Sequence, residues 1–125
     1  MKHIVSAMLV IVAVIHLLPL PGVLGRERLR ALYGVAIADP NLVILMRHRA
    51  VLFGVLGVFF LVAAFHPPLH VPAFVVGFAS VVSFLWLAGS AGGHNTQVAR
   101  VFNADLVALV CLVIAVVATA IQRSP

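Results

Sequence analysis

The chain has 125 residues, 64% of them hydrophobic and only 9% charged, where soluble domains carry roughly a quarter charged; a water-soluble catalytic domain is excluded and a membrane protein is expected. At about 20 residues per crossing the length allows about four spans in a single domain covering 1–125. The net charge of +5 has no soluble surface on which to form a basic patch, so no nucleic-acid partner is expected.

Lys2 and His3 precede an apolar stretch from Ile4 to Leu18. No small-x-small cleavage site follows, because the chain runs into Pro19-Leu20-Pro21-Gly22, so the stretch reads as a true span over about 4–20 rather than a secretory signal. Ser6, Leu9, Ala13 and His16 share one helical stripe, and His16 stands one turn before the proline stop.

Arg26 to Tyr33 sets Leu29, Leu32, Tyr33 and Ala36 at helical spacing with arginines around them. This predicts a short interfacial helix over about 26–37, with Arg26, Arg28 and Arg30 at lipid headgroups and Tyr33 at the water boundary. An orientation anchor and nothing more is the plain alternative.

Asp39-Pro40 reads as an N-cap and first helical residue, opening a span over about 41–65. Transmembrane helices meet along small residues. Ala50, Gly54 and Gly57 form such a stripe, and one step back lies Arg47, which is therefore expected to face the bundle. Arg49, about 200° around the helix, shares a face with Phe53, Leu56 and Phe60 and is expected to snorkel to headgroups.

Pro67-Pro68 separate this span from a third over about 72–91, which carries Ala73, Gly77 and Ser80 on one stripe and no charge. Trp86 and the phenylalanines read as lipid-facing or core residues. His66 and His70 flank Pro67 and Pro68 and cannot present two ligands from one helical turn, the lone Cys111 sits mid-span, and no haem-attachment motif occurs. No metal and no cofactor is expected. The Gly89–His94 glycines follow a helix and form no phosphate-cradling loop.

Asn95 or Thr96 can cap a fourth span over about 98–122. It contains Asp105, one of three acidic residues in the chain. A carboxylate inside an apolar run costs several kcal/mol when it faces lipid, so it is expected to turn inward. Its stripe continues through Ala108, Leu112, Ala115, Thr119 and Gln122. Arg100 and Asn103 lie about 140° away, which sends Arg100 toward headgroups.

Short turns make neighbouring spans antiparallel, so the first and third loops share one face and both termini the other. The loop face carries Arg26, Arg28, Arg30, Arg47, Arg49 and Arg100 against Lys2 and Arg123 on the terminus face, which puts the loops in the cytoplasm and the termini in the periplasm; with Arg47 and Arg49 held within the bundle the comparison falls to four against two, and a reversed or dual orientation is the alternative. At about 1.5 Å per residue, His16, Arg47 and Asp105 each lie roughly 6–10 Å inside the loop-side ends of their helices. An all-α, integral-membrane four-helix bundle with an Arg47, Asp105 and His16 pocket follows, flanked by His48, Asn103 and His94. A buried ion pair that only fixes helix register is the competing reading.

Ile15-His16-Leu17-Leu18-Pro19, Leu32-Tyr33-Gly34, Asp39-Pro40-Asn41-Leu42, Met46 to Gly54 and Asn103-Ala104-Asp105 together resemble a family of small four-span bacterial membrane proteins, across nearly the whole chain. Members often carry the label phosphopantetheine adenylyltransferase, yet such an enzyme needs a nucleotide-binding sheet and a His-x-x-His type motif, and the residues offer neither. A looser similarity to DoxX-like membrane proteins, with an arginine early in the second helix and an acid early in the fourth, implies the same bundle. The resemblance implies a bacterial inner-membrane protein and supplies no mechanism.

Three functions compete. The pocket binds a lipid-like or quinone-like molecule, with Arg47 on an anionic or carbonyl oxygen and Asp105 positioning it. Alternatively, Asp105 serves a proton-coupled transporter or channel-like oligomer. In the third reading the chain is an accessory subunit of a membrane complex. Expected partners are membrane lipids and either further copies of the chain or a membrane complex.

Overall fold

The computed structural model describes residues 2–35, 38–93 and 95–123. Among them are five α-helices and no strand: α1 (Lys2–Leu17), α2 (Arg26–Tyr33), α3 (Pro40–Ala64), α4 (His70–Ala91) and α5 (Thr96–Arg123), with 3₁₀ turns at Leu20–Leu24 and Pro67–Leu69. Four segments are long and apolar enough to cross a membrane: Lys2–Leu24, Pro40–Ala64, Pro67–Ala91 and Thr96–Arg123. The chain is a helical membrane protein whose long helices pack as a bundle.

Local chemistry sets the boundaries. Pro19 and Pro21 have no N–H to continue α1, and the chain tightens into the first 3₁₀ turn. The Asp39 carboxylate accepts from the Asn41 amide at 2.9 Å and caps α3, with Pro40 at the first helical position. Gly34, at φ 67°, takes the left-handed conformation that closes α2 at Tyr33. The predicted interfacial segment is thus shorter than expected; Ala36 lies outside the described residues. Asn95 caps α5, its Oδ1 accepting from the Val98 amide at 2.8 Å.

α1 and α5 form the inner pair. α1 packs on α3 and α5, and α4 packs on α5, whereas α3 and α4 meet only sparingly despite being joined by a tight turn. Accordingly 33% of the apolar windows of the first and last spans is buried, against 17% for α3 and 22% for α4. The small-residue stripe of α3 receives α1: a Cβ on Gly57 would lie 2.5 Å from Leu17 and 3.2 Å from the Ala13 carbonyl oxygen. Ser6 at the start of α1 donates to the Ala64 carbonyl at the end of α3 at 2.6 Å, so the two helices run antiparallel.

α2 does more than lie at an interface. Its Leu29 is fully buried and Tyr33 nearly so, packed with Leu32, Val43, Met46 and Val101 into a small second core. The helix roofs the loop-side end of the bundle, against the first 3₁₀ turn and α5.

Candidate functional site

Beneath this roof lies a cavity of about 280 Å³. Its polar lining comes from four helices: His16 of α1, Tyr33 of α2, Arg49 of α3, and Gln97, Arg100 and Asp105 of α5. Phe53 and Phe84 supply most of its aromatic wall.

Arg49 is the centre of this arrangement. Its Nη1 donates to the Tyr33 hydroxyl, and its guanidinium carbon lies 4.6 Å from the Phe53 ring centroid and 5.1 Å from that of Tyr33. Cation–π contacts of this kind contribute up to about 2 kcal/mol where water is excluded. The Tyr33 carbonyl, at the end of α2, accepts from Asn95 Nδ2 at 2.7 Å, which anchors the tyrosine from behind. Among the described residues no hydrogen bond or direct ion pair occupies the Asp105 carboxylate. Arg49 is the charge that acts on it.

His16 is buried and both ring nitrogens are engaged. Nδ1 lies 2.9 Å from the Val12 carbonyl, which can only accept, so Nδ1 carries the proton. In the neutral ring Nε2 then accepts from Ser80 Oγ, also at 2.9 Å. The ring packs edge-on against Phe60 at 4.7 Å. His16 therefore forms a wall and ties α1 to α4.

Several expectations are corrected. Arg47, expected inside, is exposed, and its Nε donates to the Val23 carbonyl at 2.7 Å. The small-residue stripe leads toward α1, but α1 ends at Leu17, so one turn beyond Ala50 that stripe meets the 3₁₀ turn, whose last carbonyls need a donor. Arg49 replaces Arg47, because the face shared with Phe53, Leu56 and Phe60 is an inner one: Phe60 is fully buried and the other two half-buried. Tyr33 is folded into the cavity wall, 8% exposed, rather than placed at the water boundary. Arg100 is exposed at the cavity, with Asp105 across a face whose middle is Val101 and Ala104.

His48 and Asn103 are exposed and line no part of the cavity. His94 lies outside the described residues. Arg26, Arg28 and Arg30 are exposed on α2, around its buried Leu29 and Tyr33. Gln97 was missed, although the spacing 97, 101, 104, 108 marks a continuous inward stripe on α5.

Fold and cavity define a four-span helical membrane protein with an ionisable chamber under one end. No protein-family model, curated protein or solved structure matches the chain.

Proposed function

We propose that the chamber binds the polar head of a lipid-like or quinone-like molecule in a bacterial inner membrane, with the α2 end facing the cytoplasm. Arg49 takes an anionic or carbonyl oxygen of the head. The Tyr33 hydroxyl and the aromatic faces of Tyr33 and Phe53 hold its guanidinium in one orientation. Asp105 accepts a hydrogen bond from the ligand or positions Arg49.

The observation that carries this reading is an Asp105 carboxylate left without a hydrogen-bond donor among the described residues, under the charge of a fixed arginine, in a cavity large enough for a head group. A pair whose role was only to fix helix register would close into direct contact, since an open charge beneath a membrane face is costly. The experiment is mass spectrometry of molecules that remain bound after gentle detergent extraction. A lipid-like or quinone-like species should copurify and fall at least tenfold in Arg49→Gln while the protein stays folded. An empty protein, or one whose content is indifferent to Arg49, would refute the reading.

A further inference from the structure

The chamber does not end at its own walls. Arg49, Phe53 and Phe84 line both it and a second, more open groove between α3 and α4. That groove is otherwise aliphatic, formed by residues such as Leu56, Val76 and the small Ala79. Its polar groups are already used: Ser80 Oγ is bonded to His16, and Ser83 Oγ donates to the Ser80 carbonyl at 3.0 Å. From Phe84 to Val75, α4 rises about 13 Å, close to half of a hydrocarbon layer about 30 Å thick. α3 and α4 are also the least buried spans, so the groove opens sideways onto acyl chains rather than onto water.

We infer that the ligand is a single-chain amphiphile with an anionic head, which reaches the chamber from within the bilayer through the α3–α4 seam. The inference rests on the binding function proposed above and adds the ligand class and the route. The head sign follows from the lining: Arg49 and Arg100 stand against the lone carboxylate of Asp105, leaving one net positive charge to be neutralised. The tail follows from continuity, because an aliphatic groove about 13 Å long, most of the depth of one bilayer leaflet, begins at the same arginine and phenylalanines that close the chamber. Phe53 and Phe84 form the threshold between the two. A water-soluble anion would instead arrive past Arg100 at the exposed rim and leave the groove to ordinary lipid.

The test uses the full chain in phosphatidylcholine nanodiscs, with a sixteen-carbon fatty acid bearing a mid-chain diazirine as one probe and hexanoate as the other. Unlabelled fatty acid should compete saturably for photolabelling of α3 and α4. Ala79→Phe, which fills the groove at an exposed position, should reduce that labelling at least tenfold. It should leave hexanoate binding, read by saturation-transfer NMR, within twofold. Val75→Trp, at the far end, should shift preference from sixteen-carbon to ten-carbon probes at least fivefold. Saturable labelling unaffected by either substitution but lost in Arg49→Gln would overturn lateral access while sparing the head site. No saturable binding of either probe would overturn the ligand class, and with an empty native extract the binding function too.

Discussion

Toward the Pro67–Leu69 turn the bundle closes on itself. Ala63, Ala64, Ala73, Ala115 and Ala118 are buried there. The hydroxyls bond carbonyls, Ser6 to Ala64 at 2.6 Å and Thr119 to Ala115 at 2.8 Å. The exception is His70 Nε2, buried without a partner among the described residues. Toward α2 the same helices are held apart by Phe53, Phe84, Tyr33 and Arg49, and polar groups face an open space. The difference teaches that side-chain bulk decides where a membrane bundle is solid and where it is hollow, since lipid tails offer no hydrophobic contrast to squeeze a void shut.

The close contact of α1 with α3 should be the most fragile to added volume. Gly57→Leu would drive new atoms into Leu17 and the Ala13 carbonyl, where even a Cβ lies at 2.5 and 3.2 Å. Overpacking costs typically about 1–3 kcal/mol and occasionally more, and backbone on one side, with little room to adjust, puts this site at the upper end. Thermal unfolding in detergent should show the largest loss of any single change considered, and an unchanged midpoint would mean that the two helices are not in close contact there.

At the boundary between the halves, His16→Ala breaks the tie to α4 and leaves Ser80 without its partner. A loss of about 1–3 kcal/mol is expected. A double-mutant cycle with Ser80→Ala should return a coupling of about 0.5–1.5 kcal/mol. Additive effects would show that the bond contributes nothing.

The smallest effect belongs to Arg47→Gln. It removes one exposed hydrogen bond to Val23, so the unfolding midpoint should fall less than in either variant above, and bound ligand should be retained in full. Loss of ligand here together with retention in Arg49→Gln would reverse the assignment of the two arginines.

The bundle was readable because length, proline stops and apolar runs are set by bilayer thickness and backbone hydrogen bonding. Of the site, Asp105 and His16 were readable as ionisable groups on inward stripes. The choice between Arg47 and Arg49 was not, because the small-residue stripe reports only the neighbour that comes closest, and α3 has two inner faces. The second is lined by Phe53, Leu56 and Phe60, residue types that suit lipid and protein equally. Tyr33 was misplaced for a related reason: the amphipathic pattern of α2 gives its apolar side but not whether that side meets headgroups or another helix.

One amide serves two helices. Asn95 closes the start of α5 with its oxygen and the end of α2 with its nitrogen, so one side chain in the last connection joins the ceiling of the chamber to its far wall, alongside the apolar packing of Leu29 and Tyr33. Asn95→Asp would keep the first role and turn the second from attraction into repulsion. The α2–α5 join would then weaken while every residue in the chamber wall stayed as it is.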